Sequence, residues 1–516
     1  MNNADTSVPM GGETAVQPRQ RAPRSGPEQR DDTALAVAVE HGFAAVTVPA
    51  IAEQMNVTRP VVYAYFPDRV DSIEALIQRE DNFLIDGVLE VLPRRAVDAR
   101  HYDGMQTSGP ARGAVMAFYR QVGAVPPKRH TQHRDDQGRL YYEELMGAEG
   151  FSGDSALLYH RGLPPAIVDS TVWELPDQTL TPNHPLRHRH LRLHQLFPGD
   201  TPAGTDPVTG RRLLLGNADV RISYVVAKGA SPLYRNAIGD ELVYVESGAA
   251  VVETVFGTIA VRRGDQLLVP RATTHRWLPS GPEPLRAYVI EASSHITPPK
   301  RYLSKFGQLL EHSPYCERDL HGPREPLIAT GTDIEVLVKH RPGGQVVGTR
   351  MIYATHPFDV VGWDGCLYPL TFNIADFEPL TGRVHQPPPA HQAFEGINFV
   401  VCNFVPRKVD YHPLSIPVPY YHSNVDSDEI MFYCGGNYEA RRGSGIGPGS
   451  VSVHPGGYAH GPQPGAYERS IGIDFFDELA VMVDTFRPLE LGEGALACED
   501  PGYAWTWSGR GPQSDR

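Results

Sequence analysis

Residues 429–460 read EIMFYCGGNYEARRGSGIGPGSVSVHPGGYAH, and they carry a spacing that occurs once more in the chain. Glu429 is followed by glycine seven positions later, and a second glycine is followed by proline at six positions and histidine at eleven. Residues 241–275, ELVYVESGAAVVETVFGTIAVRRGDQLLVPRATTH, repeat this spacing from Glu241 to His275. The two copies predict an internal repeat, and their short runs of Val, Ile, Tyr and Phe between turn residues predict β-structure.

The spacing of both copies resembles the motifs of the cupin fold, a small antiparallel β-barrel whose motif Glu and His point inward. The resemblance implies a mainly β bicupin, with two small antiparallel β-barrels. In cupins the first motif normally begins with His-x-His, and these histidines complete a metal site. Alignment of the copies on Glu241 and Glu429 places Tyr234 opposite His422. Only the second copy therefore keeps a first histidine.

The second copy offers His422, Glu429 and His460 as metal ligands. Two histidines and one carboxylate form the set that binds non-haem Fe(II) on one face, with coordination positions left open. A vicinal or para diphenol and O2 can take those positions, so electrons can pass from the aromatic ring to oxygen. The first copy offers only Glu241 and His275, which favours a degenerate, structural barrel.

Residues 33–91 differ from the rest of the chain, because their apolar positions recur at helical spacing and Thr58 can cap the second of two short helices. This stretch resembles the helix-turn-helix DNA-binding domain of the TetR family, and the all-α unit makes DNA a candidate partner. Thr58, Arg59, Tyr63 and Tyr65 are the predicted DNA contacts. Residues 1–115 contain 11 Arg and no Lys against 16 Asp and Glu, a balance of −5, so we favour a helical appendage without operator binding over a DNA-binding domain.

Composition shifts divide the chain further. Residues 1–32 are polar and rich in Pro and Gly, which predicts a disordered leader, and residues 92–115 are predicted to be a linker. We expect an N-terminal dioxygenase region with the degenerate barrel at 116–330 and the iron-bearing barrel at 331–516. Five separated cysteines without a CxxC pair and no long apolar run predict a cytoplasmic protein without a membrane role.

From about residue 116 onward the chain resembles the homogentisate 1,2-dioxygenase family. The resemblance is carried by PFDVVGWDGCLYPLTFNIADFEPLTGRVHQPPP at 357–389, PYYHSNVDSDEIMFY at 419–433 and shorter segments on either side. It implies Fe(II)-dependent insertion of O2 that opens the ring of homogentisate to maleylacetoacetate, in tyrosine and phenylalanine catabolism. It also implies a trimer-based homo-oligomer.

The resemblance places the iron ligands in the HSNVDSDE and AHGP segments, where His422, Glu429 and His460 lie. Six residues separate His422 from Glu429, one more than in eukaryotic members, so Asp428 stays a second candidate for the carboxylate ligand. The Glu-x6-Gly spacing favours Glu429.

Family members use a histidine near a proline-rich turn to accept a proton from the substrate hydroxyl. In GRVHQPPPAHQAF this base is His385 or His391, and we prefer His385, which directly precedes the prolines. A histidine suits this role because its ordinary pKa of about 6.5 lies near working pH. The predicted substrate-binding residues, which adjoin or supply the ligands, are Tyr420, Tyr421, Asn424 and His460.

Two further interpretations complete the sequence-based picture. The run NHPLRHRHLRLH at 183–194 contains four histidines and three interleaved arginines, and we interpret it as a solvated or inter-subunit surface because the arginines would repel a metal ion. The competing hypothesis for the whole chain is a TetR-like transcription regulator that uses the bicupin as a sensor of aromatic acids.

Overall fold

A computed structural model describes residues 119–197, 199, 204–384 and 388–511. The predicted leader, helix-turn-helix unit and linker lie outside the described residues, as do the candidate DNA contacts Thr58, Arg59, Tyr63 and Tyr65. Within the described ranges, no helix is long and apolar enough to cross a membrane.

Short strands dominate the described part of the chain, which confirms the mainly β prediction. Its first half contains β1 (Arg120–Gly123), β2 (Tyr142–Gly147), β3 (Ser155–His160), β4 (Ile167–Trp173), β5 (Thr181–Pro182), β6 (Arg189–Arg192), β7 (Arg212–Gly216), β8 (Val220–Ala227), β9 (Leu233–Asn236), β10 (Glu241–Ser247), β11 (Ala249–Thr254), β12 (Gly257–Arg262), β13 (Asp265–Val269), β14 (His275–Ser280) and β15 (Leu285–Ala292). Its second half contains β16 (Leu320–His321), β17 (Ile334–His340), β18 (Val347–Tyr353), β19 (Val360–Gly365), β20 (Leu370–Asn373), β21 (Gln392–Gly396), β22 (Phe399–Phe404), β23 (Arg407–Lys408), β24 (Asp428–Gly436), β25 (Ser450–His454), β26 (Phe475–Phe476), β27 (Glu478–Thr485) and β28 (Glu490–Leu491).

Helices are few and short among the described residues. The α-helices are α1 (Ala466–Ser470) and α2 (Glu493–Cys498). Single 3₁₀ turns occur at Glu149–Phe151, Leu193–Leu196, Lys300–Tyr302, Glu317–Asp319, Pro342–Gly344, Ile374–Asp376, Pro388–His391, Glu439–Arg441 and Tyr503–Trp505.

Two sheets enclose the core around the first copy of the repeat. The nine-stranded sheet has the order β16-β20-β13-β10-β15-β8-β7-β28-β5, and the seven-stranded sheet has the order β12-β11-β14-β9-β17-β18-β4. Alternate side chains of a strand face opposite sides, so Val225 and Val243 of the first sheet meet Val252 and Trp277 of the second in one buried cluster. The first copy therefore forms two packed β-layers around its own core.

The second copy lies in a six-stranded sheet of order β21-β22-β27-β24-β25-β6. On β24, Ile430 and Phe432 face the nine-stranded sheet, where the Phe432 ring stacks on Tyr288 with centroids 4.7 Å apart. The strand alternation turns Glu429 and Met431 to the opposite face, and Met431 packs there in a separate cluster. Because Ile430 is buried in the core between the sheets, the side chain of Glu429 must point to the other face of the six-stranded sheet.

The nine-stranded and six-stranded sheets each include a strand from a distant part of the sequence. Strand β6 pairs with β25 in the six-stranded sheet, with Val451 opposite Leu191. Strand β28 pairs with β7 in the nine-stranded sheet, with Glu490 opposite Gly216. The predicted division near residue 330 stays a prediction, and both sheets draw strands from either side of it.

The glycines of the repeat mark the same kind of turn in both copies. Gly248 and Gly264 have φ of +76° and +88°, and Gly436 and Gly449 have φ of +82° and +80°. Residues with a Cβ rarely adopt this left-handed conformation, so each copy needs glycine at both turns. This requirement explains why the spacing of the glycines survives in both copies.

Replacing Gly436 with alanine tests this requirement. A Cβ at Gly436 would lie 1.9 Å from the carbonyl oxygen of Asp477, whereas a Cβ at Gly443, where φ is +93°, would have no atom within 4 Å. We expect Gly443→Ala to lower the free energy of unfolding by about 1 kcal/mol through backbone strain alone. Gly436→Ala should cost about 1–3 kcal/mol more through the collision. Urea denaturation measures both, and equal midpoints for the two variants would contradict this account.

Candidate metal centre

The structure brings together the three residues predicted as metal ligands. One ligand atom from each of His422, Glu429 and His460 can be chosen so that all lie within 4.8 Å of one another. Glu429 Oε2 lies 3.5 Å from His422 Nε2 and 3.3 Å from His460 Nε2. Neighbouring ligand atoms of a first-row metal ion with bonds of about 2.1 Å stand roughly 3 Å apart, so this spacing fits an ion between them.

Backbone pairing holds the two histidines side by side. His422 and His460 form an antiparallel bridge in which each backbone N–H donates to the other carbonyl at 2.9 Å. Each Nδ1 lies 3.3 Å from the carbonyl oxygen two residues earlier, at Tyr420 and at Tyr458. A metal ion requires the tautomer in which Nδ1 carries the proton and Nε2 keeps its lone pair. A carbonyl oxygen beside each Nδ1 favours that tautomer, because it can accept the Nδ1–H.

Glu429 is held by a histidine that the sequence analysis did not single out. His454, at the end of β25, lies with Nδ1 2.9 Å from Glu429 Oε1 and with Nε2 3.0 Å from the Tyr503 hydroxyl. Burial lowers the pKa of His454 well below its usual value, so the ring is neutral and Nδ1–H donates to the carboxylate. With Oε1 engaged, Oε2 faces His422 and His460.

The protonation of Glu429 follows from the same contacts. Burial alone would raise the pKa of this carboxyl, but its contacts with the rings of His422, His454 and His460 hold the pKa well below its ordinary range. Glu429 is therefore an anion, as a metal ligand must be. His460 Nε2 is buried without a hydrogen-bond partner among the described residues, and a bound cation would satisfy it.

Replacing His454 with glutamine tests its role in orienting Glu429. Loss of the ring removes the bridge between Tyr503 and the carboxylate, so Glu429 can rotate away from the histidines. We expect metal affinity to fall by about 10–100-fold, as is typical when a hydrogen-bond partner of a ligand is removed. Titration with a competing chelator measures the affinity. Tyr503→Phe, which keeps the His454–Glu429 contact, should cost less, and an equal loss in both variants would contradict this assignment.

Asp428, the alternative carboxylate, is occupied elsewhere. Its Oδ1 accepts the backbone N–H of Gly456 at 2.8 Å and its Oδ2 accepts that of Leu489 at 2.7 Å. Asp428 precedes Glu429 on β24, so the strand alternation turns the two side chains to opposite sides. Of the two carboxylates, Glu429 is the one that lies with the histidines.

The interpretation of the histidine run at 183–194 as a surface is wrong for its central residues. His188 and His190 are 4% and 0% exposed. The charges of the interleaved arginines are neutralised by carboxylates from far along the chain: Arg189 pairs with Glu499 at 2.7 Å, and Arg192 pairs with Asp500. The sequence could not show these partners, because they lie about 310 residues away.

His188 packs directly against the candidate metal centre. Its ring stacks on Tyr458 with centroids 4.1 Å apart and lies 5.9 Å from the ring of His460. Its Nε2 lies 3.1 Å from the carbonyl oxygen of Ala459, the residue before His460. Burial lowers the pKa of His188 to about 4, so the ring is neutral and Nε2–H donates to this carbonyl. The contact supports the turn that carries His460.

The two candidate bases stand differently in the structure. His385 lies outside the described residues. His391 closes the 3₁₀ turn before β21, is 5% exposed, and stacks on Phe404 with ring centroids 4.2 Å apart. This packing gives His391 a buried place beside the six-stranded sheet.

The predicted substrate-binding residues surround His422. Tyr420 and Tyr421 are each 51% exposed, and the Tyr420 ring lies edge-on to His422 with centroids 6.2 Å apart. Asn424 is half-buried, and its carbonyl accepts the backbone N–H of Gly457. His460 lies 2% exposed at the base of the site. The exposed tyrosines thus flank the open side of the three candidate ligands.

In the first copy, an arginine side chain contacts Glu241, the carboxylate equivalent to the candidate ligand Glu429. The guanidinium of Arg211 lies 3.0 and 3.1 Å from the two oxygens of Glu241, which also accepts from Tyr234 and Asn236. Burial opposes the charge of Glu241, yet Arg211 brings its pKa down to about 2. His275 donates through Nδ1 to the carbonyl of Thr273. The first copy therefore neutralises its carboxylate with a side chain.

Two family descriptions match parts of the chain. Residues 376–510 match "Homogentisate 1,2-dioxygenase C-terminal", and residues 32–76 match "Bacterial regulatory proteins, tetR family". The first match spans all three candidate ligands. The second lies outside the described residues.

Individual relatives cover most of the chain. A protein of Saccharolobus solfataricus named "Putative dioxygenase" is 40% identical over 396 residues, which are 76% of this chain and 99% of that protein. "Homogentisate 1,2-dioxygenase" of Emericella nidulans is 27% identical over 73% of this chain and 84% of its own. Among solved structures, a cupin 2 conserved barrel domain protein from Leptotrichia buccalis is 10% identical, with a TM-score of 0.26 over 58% of this chain and 96% of its own.

Proposed function

Because the chain belongs to the family of dioxygenases that includes homogentisate 1,2-dioxygenase, we propose that it opens the ring of homogentisate with O2, using Fe(II) held by His422, Glu429 and His460. The product would be maleylacetoacetate, an intermediate of tyrosine and phenylalanine catabolism. The observation that carries the proposal is the convergence of the Nε2 atoms of His422 and His460 on one oxygen of the Glu429 carboxylate. This donor set is the one that non-haem Fe(II) oxygenases use.

When bound, Fe(II) supplies open positions for the substrate and O2 and a path for electrons between them. The chain's own residues then have three tasks. His454 engages Oε1 of Glu429, so that only Oε2 lies toward His422 and His460 and would be available to hold the ion. Tyr420, Tyr421 and Asn424 orient the aromatic acid at the open side, through ring contact and hydrogen bonds to its hydroxyl or carboxylate groups. His385 or His391 accepts the proton of a ring hydroxyl.

Oxygen uptake tests the function directly. The full chain, loaded with Fe(II) under argon, is mixed with air-saturated homogentisate, while an oxygen electrode records uptake and absorbance records maleylacetoacetate. We expect one O2 consumed per ring opened. A parallel assay with 2,5-dihydroxybenzoate, which shares the para-diphenol but has a shorter acid arm, tests the substrate. No turnover of either compound by iron-loaded protein would overturn the proposal, and turnover of the second alone would replace the substrate.

The match of residues 32–76 to TetR-type regulators favours a second candidate function, a transcription regulator that senses an aromatic acid. The two functions differ in what homogentisate does. A sensor would bind genomic DNA fragments through Thr58, Arg59, Tyr63 and Tyr65, release them when homogentisate is added, and leave the ring intact. A mobility-shift assay with fragments from around the gene, with and without homogentisate, separates the candidates.

The proposal has two corollaries for the protein's setting. Five free thiols suit a reducing compartment, so we place the reaction in the cytoplasm. We also expect a trimer-based homo-oligomer built through the β-rich part, which light scattering of the purified chain would show.

A further inference from the structure

A buried arginine lies beside the candidate metal centre, and the proposed function gives it no task. Arg441 ends the 3₁₀ turn Glu439–Arg441 and is 8% exposed. Its Nε donates to the Tyr433 hydroxyl at 2.8 Å, and its Nη1 donates at 2.7 Å to the carbonyl of Gly461, the residue after His460. These contacts hold the guanidinium group next to the segment that carries a candidate ligand.

The carboxylate nearest to this guanidinium group is itself a candidate ligand. Arg441 Nη2 lies 4.0 Å from Glu429 Oε1. Glu439, on the same turn as Arg441, contacts two other guanidinium groups, those of Arg469 at 2.9 Å and Arg442 at 3.7 Å. Among the described residues, no other carboxylate oxygen lies within 4.0 Å of Arg441. Glu429 is therefore the counter-charge of Arg441.

The charge of Arg441 also acts on the histidines around the centre. Burial lowers the pKa of His454 well below its usual value, and the charge of Arg441 adds to this effect. Burial lowers the pKa of His188 to about 4, and Arg441 acts in the same direction. A guanidinium group stays protonated at any working pH, so this positive charge is permanent. Because it is buried, salt screens it only weakly.

We propose that Arg441 holds an iron ion bound at His422, Glu429 and His460 in the ferrous state, by raising the reduction potential of that ion. The inference rests on the proposed function, because it needs iron at this site. A ferric ion carries one more positive charge than a ferrous ion, and a fixed cation nearby disfavours the higher charge. The effect is larger where burial lowers the local dielectric constant. Arg441 also offsets part of the negative charge of Glu429, which by itself favours the ferric state.

The proposed reaction uses ferrous iron and O2, and the same pair has an unproductive reaction. One electron then passes from Fe(II) to O2, which leaves as superoxide, and Fe(III) remains without any ring-opened product. A raised reduction potential makes this loss of an electron less favourable. Arg441 thus protects the iron-loaded protein in air before the substrate binds.

Redox titration of the iron-loaded full chain measures the effect. At a given potential, we expect Arg441→Gln to raise the ratio of ferric to ferrous iron by at least about 10-fold, which corresponds to a midpoint about 59 mV lower. The ferric signal in electron paramagnetic resonance should also grow faster in air than it does in the parent. Neither readout needs turnover of homogentisate, so the test separates this inference from the proposed function.

Further variants separate the charge of Arg441 from its contacts. Arg441→Lys keeps the positive charge and should keep most of the parental midpoint. Arg442→Gln is the matched control, because Arg442 is the next residue in the chain but its side chain is 67% exposed and pairs with Glu439. This control should have the parental midpoint. Arg441→Met, whose unbranched side chain adapts to buried space, is a second neutral variant.

Three results would overturn the proposal. One is an unchanged midpoint in iron-loaded Arg441→Gln and Arg441→Met. Another is an equal fall in Arg441→Lys, which would assign the effect to lost contacts with Tyr433 and Gly461 and not to lost charge. The third is loss of iron from both neutral variants, which would make Arg441 only a support of the ligands.

The parent protein distinguishes this inference from the proposed function. A parent that binds iron but leaves homogentisate intact would refute the proposed function, while the midpoints of the variants would still decide the role of Arg441. A parent that retains no iron would overturn both.

Discussion

His460→Ala is expected to leave the protein folded but without bound metal and without oxygen uptake. Glu429 and His422 alone offer two ligand atoms, which are too few to retain a divalent ion through gel filtration. The loss should exceed the roughly 10–100-fold that removal of a mere supporting group costs. Metal content by mass spectrometry and oxygen uptake with homogentisate measure the two effects. A folded His460→Ala protein that keeps one iron per chain would refute the ligand assignment.

A pair of carboxylate variants provides the matched control. Glu429→Gln should lose the metal as His460→Ala does, because the amide is neutral and its nitrogen cannot act as a ligand. Asp428→Asn should keep the metal, since Asp428 is engaged with the backbone N–H groups of Gly456 and Leu489. Its cost should appear as a lower melting temperature instead. Metal loss in Asp428→Asn alone would reverse the choice of carboxylate.

His385→Ala is expected to retain iron but to slow ring opening by about 10²–10⁴-fold, the usual contribution of a positioned general base. The variant should also lose the acid limb of the rate profile near pH 6.5, where an ordinary histidine takes up its proton. Stopped-flow measurement of the iron-loaded protein at several pH values separates this effect from weaker substrate binding. A change in KM with unchanged kcat would assign His385 to binding.

His391→Ala serves as the comparison. The His391 ring is buried against Phe404, so its removal should destabilise the fold by about 2–4 kcal/mol, as for other large buried side chains. We expect the folded fraction of this variant to turn over substrate at near the parental rate. Full activity in His385→Ala with none in folded His391→Ala would exchange the two roles.

The three candidate ligands could be predicted from the sequence because the repeat fixes how far apart the glutamate, the glycines and the last histidine lie along the chain. Glu429 and Gly436 lie on β24, and Gly449 directly precedes β25, which pairs antiparallel with β24, so the turn positions determine which residues of the two strands lie opposite each other. Alignment of the two copies could also have identified His454. It lies five residues after Gly449, and the first copy has Val269 at the equivalent position. A histidine present only in the copy with the full set of candidate ligands was a usable signal.

Other parts of the site could not be predicted from local pattern. His188 reaches Ala459 across 271 positions, and no spacing rule connects β6 to the turn before His460. The histidine run at 183–194 was interpreted as a surface because its arginines have no acidic neighbours in the sequence. In the fold, Glu499 and Asp500 neutralise Arg189 and Arg192 through tertiary contacts. In the first copy, Arg211 was likewise missed as the partner of Glu241, 30 positions away.

The six-stranded sheet combines β6, from early in the chain, with strands from much later, and this bears on when the candidate metal centre can form. A nascent chain that has emerged as far as β6 holds one edge of the six-stranded sheet but neither β24 nor β25. Tyr503, which orients His454, leaves the ribosome later still. The candidate ligands and the residues that hold them in place therefore come together only after β24, β25 and Tyr503 have all been synthesised.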